Sequence, residues 1–191
     1  MRRPAAAQTI HATAVALGAA GILIRGRSGS GKSALALGLI MADRKRHRLV
    51  ADDRVVLSAG DGRLRASAPP EIAGLLEVRG QGLLPFPYLR SAAIALVVDL
   101  VEAGAAPRLP GAAERETELC GAVIPRILLP IGVADGPTRV MLAVERLPQV
   151  KLYRARAEKS LALRNRSVEI GRPARKRPRA GSRKTGEPVV A

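Results

Sequence analysis

The segment formed by residues 26–33 constrains this chain more than any other part of it. It reads G-R-S-G-S-G-K-S, which matches the phosphate-binding loop pattern G-x-x-x-x-G-K-S. Glycines in such a loop let successive backbone N–H groups point inward at phosphate oxygens. Lys32 adds a positive charge for the outer phosphates, and the Ser33 hydroxyl is suited to hold Mg²⁺. The residues predicted to bind a nucleotide are Gly26, Arg27, Ser28, Gly29, Ser30, Gly31, Lys32 and Ser33.

The segments on either side of this loop support the same interpretation. Residues 21–25 are apolar and β-branched, as a buried strand should be, and residues 33–43 are rich in Ala and Leu, as a buried helix should be. The helix would direct its positive N-terminal end at the same anion. The order of strand, glycine loop and helix favours an α/β phosphate-loop core over a glycine-rich linker. We expect the Lys32 ammonium to be an exposed charge rather than a packing residue.

The length and cysteine content of the chain exclude several other classes. A chain of 191 residues is of ordinary size for one domain, and its only cysteine is Cys120. One cysteine excludes an intramolecular disulfide and a cysteine metal cluster, and it favours a reducing, cytoplasmic compartment. The apolar run 12–24 is too short to span a bilayer and leads directly into the glycine loop. We therefore expect two strands there, in a soluble protein with no membrane segment.

The net charge of +16 is concentrated near the C-terminus. Residues 151–191 contain 13 Lys and Arg against 3 acidic residues, a net charge of +10. This stretch has no apolar periodicity, so we predict a folded domain over residues 1–147 and a basic, disordered tail over residues 148–191. No recognition motif or stacking aromatic accompanies the basic residues, which favours weak binding of polyanions through charge over a specific nucleic-acid site.

Two adjacent carboxylates, Asp52 and Asp53, follow the short apolar strand predicted at residues 49–51. A phosphate-loop enzyme needs an acidic residue at a strand end, either to position Mg²⁺ or to accept a proton from an attacking hydroxyl. Neighbouring side chains point in different directions, so one carboxylate can face metal and the other substrate. Asp99 competes for the metal role because it ends the longer apolar strand predicted at residues 94–100, and spacing alone leaves both possibilities open.

The remaining elements are predicted from shorter patterns. Residues 55–57 and 64–66 predict a hairpin with a glycine turn between them. Residues 114–119 indicate a short helix. Residues 127–131 and 140–144 indicate two late strands.

Four motifs together resemble the catalytic domain of bacterial HPr kinase/phosphorylase over about residues 8–131. They are His11, the loop at 26–33, the sequence R-L-V-A-D-D at 48–53, and L-E-V-R-G at 76–80 followed by Gly82. The chain resembles the short form of the family, which consists of the C-terminal catalytic domain alone. The resemblance implies a P-loop α/β kinase core related to that of phosphoenolpyruvate carboxykinase, with a mixed sheet and flanking helices.

The resemblance also implies the cofactors and the residue roles. The cofactors would be ATP and Mg²⁺, with Lys32 contributing to catalysis from the loop. Asp52 would be the acid/base that takes the proton from a serine hydroxyl, with His11 beside it. Asp53 and Glu77 would lie near the metal, for which Ser33 would be a ligand.

By the same resemblance, the chain would be an ATP-dependent protein serine kinase. It would phosphorylate an HPr-type phosphocarrier of the sugar phosphotransferase system, regulate carbohydrate metabolism, and assemble as a hexamer. This sequence departs from many relatives at Ala34, where they have Glu, and at residues 130–136, which lack the arginine of their Pro-Gly-Arg-Asn loop. Two alternatives are another P-loop kinase acting on a small molecule and a non-catalytic ATP-binding regulator.

Overall fold

A computed structural model describes residues 7–60 and 63–148 of the chain. The predicted basic tail lies outside these residues apart from Pro148, so the boundary between residues 147 and 148 stays a prediction. None of the helices in the described part has the length and apolar character needed to cross a bilayer. The elements found there are β1 (Gln8–His11), β2 (Thr13–Leu17), β3 (Ala20–Arg25), α1 (Lys32–Ala42), β4 (His47–Ala51), β5 (Arg54–Gly60), β6 (Arg63–Ser67), β7 (Leu75–Val78), β8 (Gly82–Pro85), β9 (Ala92–Val101), β10 (Glu116–Leu119), β11 (Ala122–Pro130) and α2 (Gly136–Arg146).

Most of the strands belong to one mixed sheet centred on β9. Along its main path the strands run in the order β1, β5, β6, β9, β3, β2, β4, and β11 also joins β9, with β10 outside it. Strand β9 runs parallel to both β3 and β11, whereas its first residues pair antiparallel with β6. Strands β7 and β8 form a separate antiparallel hairpin. The predicted hairpin at 55–57 and 64–66 is confirmed as β5 and β6.

The central strand β3 is apolar on both faces because both faces are covered. Ile22 and Ile24 belong to the cluster that packs under α1 and α2, whereas Leu23 belongs to a second cluster on the opposite face. All three side chains are fully buried. Because both faces are buried, the segment consists of consecutive apolar residues. The glycine loop begins where this buried strand ends.

The two helices approach each other closely at Gly38 of α1. A Cβ atom placed on Gly38 would lie 2.8 Å from Cγ of Pro137 in the first turn of α2. A larger residue would push the helices apart, so this glycine lets α2 settle beside the loop that precedes α1.

Two of the predicted elements are wrong. Residues 116–119 form β10 rather than a helix, and their exposure alternates with the period of two that a strand requires. Residues 140–144 lie within α2 rather than in a strand: Val140 and Val144 are buried four positions apart, which is helical spacing. Residues 8–17 form two strands that are interrupted at Ala12, because β1 pairs with β5 while β2 pairs with β3 and β4.

Candidate active site

The glycine loop leaves the end of β3 and turns tightly into α1. Gly29 and Gly31 have φ values of 76° and 92°, which side-chain-bearing residues rarely adopt. Gly26 is required for space, since a Cβ there would lie 2.5 Å from the Ser30 hydroxyl and 3.0 Å from Cβ of Leu100. The glycines of the predicted motif are therefore needed to close the loop in this conformation.

The Lys32 side chain lies inside the loop. Only 7% of the residue is exposed, and its Nζ donates hydrogen bonds of 3.0 Å to the carbonyl oxygens of Gly26 and Arg27. The expectation of an exposed charge is wrong, because the loop wraps around the aliphatic stem and the ammonium. This burial lowers the pKa of Lys32, and the nearby carboxylates of Asp52 and Asp53 partly oppose the effect.

Asp52 is a buried carboxylate that accepts three hydrogen bonds. Its Oδ1 accepts from the Thr13 hydroxyl at 2.6 Å and from the Ser33 hydroxyl at 3.0 Å, and its Oδ2 accepts from the backbone N–H of Glu77 at 3.1 Å. The Asp52 residue is 6% exposed and Thr13 is completely buried. Sequence reasoning missed Thr13, although a single polar residue in the apolar run 12–17 was the available signal.

Asp53, by contrast, points to solvent and pairs with His11. Its backbone has a φ of 62°, and its side chain is 68% exposed. His11 Nδ1 lies 3.1 Å from Oδ1 of Asp53. The turn that carries the two aspartates is held against the break between β1 and β2, because the N–H of Ala12 donates to the Asp53 carbonyl at 3.2 Å.

The structure therefore joins the predicted site residues into two neighbouring groups. The half-buried Ser33 and the buried Asp52 form an inner group with the Glu77 backbone, while His11 and Asp53 form an outer, exposed group. The Glu77 side chain is exposed on β7. Asp99, the competing candidate, does not join them, because its carboxylate pairs with Arg25 and Arg126.

The inner group fits a Mg²⁺ ion that arrives with a nucleotide. Within residues 7–60 and 63–148, no group of three or more His, Cys, Asp or Glu side chains is arranged to hold a metal. Mg²⁺ usually takes one or two carboxylates and completes its shell with phosphate oxygens and water. The Ser33 hydroxyl and the Asp52 carboxylate provide that smaller set of oxygens. The Ser30 hydroxyl is buried without a hydrogen-bond partner in this part of the chain, which suits a loop that receives an anion.

A cleft of about 400 Å³ adjoins the loop. Residues of the loop form one wall, and the start of α1, the ends of β9 and β11, and the segment joining β11 to α2 form the others. Leu35, Leu100, Leu129 and Val133 are among the side chains that line it.

Comparison with known proteins connects this site to one family. A family model described as the HPr serine kinase C-terminal domain matches residues 2–164. The HPr kinase/phosphorylase of Clostridium novyi is 46% identical over 80 residues, which cover 42% of this chain and 25% of that protein. The enzyme of the same name from Streptococcus uberis is 35% identical over 133 residues, covering 64% of this chain and 42% of that protein. This chain thus matches less than half the length of these relatives.

A solved structure extends the comparison to three dimensions. The HPr(Ser) kinase/phosphatase from Coxiella burnetii superposes with a TM-score of 0.60 and 29% sequence identity. The match covers 83% of this chain and 97% of that one. The predicted resemblance and the predicted α/β P-loop kinase core with a mixed sheet are confirmed.

Proposed function

This chain belongs to the family of the HPr serine kinase C-terminal domain, and from this premise we propose that it is an ATP-dependent serine kinase acting on an HPr-type phosphocarrier. The observation that carries the proposal is the Ser33–Asp52 hydrogen bond of 3.0 Å beside the exposed His11–Asp53 pair. One group is suited to a metal–phosphate complex and the other to a substrate hydroxyl. Ser33 belongs to the glycine loop and the Asp53 carboxylate acts on the pKa of Lys32 in the same loop, so both groups would face the same phosphoryl group.

The loop would hold ATP, and Ser33 and Asp52 would hold Mg²⁺. A bound Mg²⁺ neutralises charge on the phosphates during transfer. Lys32 already has its ammonium surrounded by oxygen atoms of the loop. Phosphate oxygens would replace those carbonyl oxygens, and the low local dielectric would strengthen their attraction to the ammonium.

The contacts favour an exchange of the roles that the resemblance implied for the two aspartates. Asp52 uses both carboxylate oxygens to accept hydrogen bonds and is buried, so it is poorly placed to receive a proton from a protein substrate. Asp53 is exposed, and His11 orients its carboxylate. We therefore assign Asp53 as the general base, Asp52 to the metal, and Glu77 to the hairpin that supports Asp52.

The direct test is transfer of labelled phosphate from ATP to purified HPr, with mapping of the modified residue. We expect transfer to a serine, and loss of transfer in Lys32→Met. Lys45→Met is the matched control, because Lys45 is an exposed lysine outside the site. ATP binding without transfer to HPr would contradict the proposal and favour a non-catalytic regulator.

Assembly and context belong to the same proposal. Family membership supports a hexamer in the cytoplasm that regulates carbohydrate metabolism through its phosphocarrier. Light scattering coupled to size-exclusion chromatography tests the assembly, and a monomer at micromolar concentration would contradict it.

A further inference from the structure

Among residues 7–60 and 63–148, the side chains that line the cleft beside the glycine loop cannot form hydrogen bonds, with one exception. That exception is Ser30, whose hydroxyl lies within the loop itself. The other lining residues are Gly, Ala, Leu, Ile, Val and Pro. We propose that this cleft is the nucleoside subsite of the proposed kinase and that it accepts nucleoside triphosphates with little regard to the base. The inference rests on the proposed function, because it takes the ligand to be a nucleotide.

The position of the cleft identifies its occupant. Gly29, Ser30 and Gly31 line the cleft and also belong to the phosphate-binding loop. If this loop holds the triphosphate, the attached nucleoside would therefore lie in the cleft. The volume of about 400 Å³ lies within the range of small-molecule sites and is adequate for a nucleoside.

Backbone hydrogen bonds reduce the number of donors that the segment joining β11 to α2 can offer to a base. The N–H groups of Ile131, Val133 and Gly136 donate to backbone carbonyls at 2.9, 3.4 and 3.3 Å. Pro130 and Pro137 have no N–H. Backbone donors are what a pocket without polar side chains would use to read a base edge, and three of the six N–H groups of residues 131–136 are already engaged.

The chemistry of the lining limits how strongly bases can be discriminated. Adenine and guanine differ mainly in the donors and acceptors along one edge. A site built to hydrogen-bond such groups rejects the wrong ligand by about 10⁴-fold, whereas an apolar pocket discriminates by shape alone, by about 10- to 200-fold per methylene. We expect ATP and GTP to bind with dissociation constants within about tenfold of each other. Pyrimidine nucleotides should bind a few-fold more weakly because they bury less surface.

Isothermal titration of the full chain with ATP, GTP, CTP and tripolyphosphate tests the inference. Similar affinities for ATP and GTP, both tighter than tripolyphosphate, are expected. An ATP preference of more than about 100-fold over GTP would overturn the inference and leave the kinase proposal standing. Binding of tripolyphosphate as tight as that of ATP would overturn it equally, because the cleft would then contribute nothing. Failure of every ligand to bind would overturn both.

A variant that fills the cleft provides the second arm. Ala134 is exposed and lines the cleft, so Ala134→Phe should reduce ATP and GTP affinity together by about tenfold or more while leaving tripolyphosphate affinity within about twofold. Retained tripolyphosphate binding also reports that the loop is folded. Ala113→Phe is the matched control, since Ala113 is equally exposed and lies outside the lining. Unchanged nucleotide affinity in Ala134→Phe would overturn the inference.

Discussion

Arg25 donates two hydrogen bonds to the carboxylate of Asp99, from Nε and Nη2, and both are 2.7 Å long. The two residues are direct partners in the parallel pairing of β3 with β9. Arg126 of β11 adds a second cation, with Nη1 3.7 Å from Oδ2 of Asp99. From sequence, Asp99 competed with the aspartate pair for the metal. Both its oxygens are engaged by arginines, so its function is to join three central strands at the base of the glycine loop.

Removing the charge of Asp99 should weaken the fold rather than the chemistry. Asp99→Asn leaves two arginines without their anionic partner at a site where the aspartate side chain is only 16% exposed. We expect a loss of about 1–3 kcal/mol in the free energy of unfolding, measured by urea denaturation. The control is Glu102→Gln, which breaks the exposed 2.7 Å ion pair with Arg27 and should cost less than about 1 kcal/mol. Normal stability with abolished ATP binding in Asp99→Asn would instead identify it as a metal ligand.

A second prediction concerns the first glycine of the loop. Gly26→Ala places a methyl group against the Ser30 hydroxyl and Leu100, which the closed loop cannot accommodate without shifting. We expect at least a tenfold loss of ATP affinity by calorimetry, together with a lower melting temperature. Gly104→Ala is the control, because a Cβ there has no neighbour within 4 Å and the backbone φ is not positive. Equal ATP affinities in the two variants would contradict the need for glycine at position 26.

The elements that sequence predicts correctly around the glycine loop are those whose signals are local. The apolar strand, the glycine loop and the following helix are contiguous, so a single pattern specifies β3, the loop and α1 together. The signal for the aspartate pair is also local, because the pair directly follows a short apolar strand. These signals predict that Ser33 and the aspartate pair share one site, but they do not indicate which of the two aspartates contacts Ser33.

The parts that sequence misses depend on contacts between distant segments. Thr13 donates to Asp52 across 39 positions, and no spacing rule connects them. The burial of Lys32 depends on how the loop carbonyls fold back over it. The segment that forms α2 contains Gly136 and Pro137, which weaken any local signal for a helix, although its buried valines have helical spacing.

The third prediction concerns the effect of pH on phosphate binding. Burial lowers the pKa of Lys32, with Asp52 and Asp53 acting in the opposite direction. A lysine that binds phosphate must be protonated, so affinity is constant below the pKa of the free protein and falls as pH rises through it. We expect the affinity for Mg²⁺-free ATP to fall at a lower pH than an ordinary lysine pKa of about 10.4 would give. Lys32→Arg, which stays protonated, should show no such fall, and an identical fall in both proteins would contradict the assignment.

The same shift has a consequence for stability. The pKa of Lys32 is lower in the folded chain than in the unfolded chain, so the charged ammonium disfavours folding. This penalty is fully present below the folded-state pKa and disappears as pH rises towards the unfolded value. The free energy of unfolding, measured by urea titration, should therefore rise less at alkaline pH in Lys32→Met than in the wild type. A parallel pH dependence of the two proteins would show that the burial of Lys32 has no effect on folding.

The last prediction separates the two adjacent aspartates. Asp53→Asn changes an exposed side chain, so the free energy of unfolding should be nearly unchanged and the ATP affinity should remain within a few-fold of the wild type. The kcat of phosphoryl transfer to HPr should fall by about 10²- to 10⁴-fold. Asp52→Asn alters a buried carboxylate whose oxygens accept three hydrogen bonds, and an amide nitrogen cannot accept one of them. We expect this variant to lose about 1–3 kcal/mol of stability and to bind Mg²⁺-ATP more weakly.

The comparison between ATP with and without Mg²⁺ makes this pair of variants decisive. If Asp52 serves the metal, Asp52→Asn should lose the Mg²⁺-dependent part of its ATP affinity, while Asp53→Asn should keep it. Thr13→Val is a control for the packing effect, because it removes one donor to Asp52 without removing the carboxylate. The roles implied by family resemblance would be restored if Asp52→Asn bound Mg²⁺-ATP normally without transferring phosphate and Asp53→Asn stayed active. In that case the hydrogen bonds that Asp52 accepts from Thr13 and Ser33 would have to open before each proton transfer.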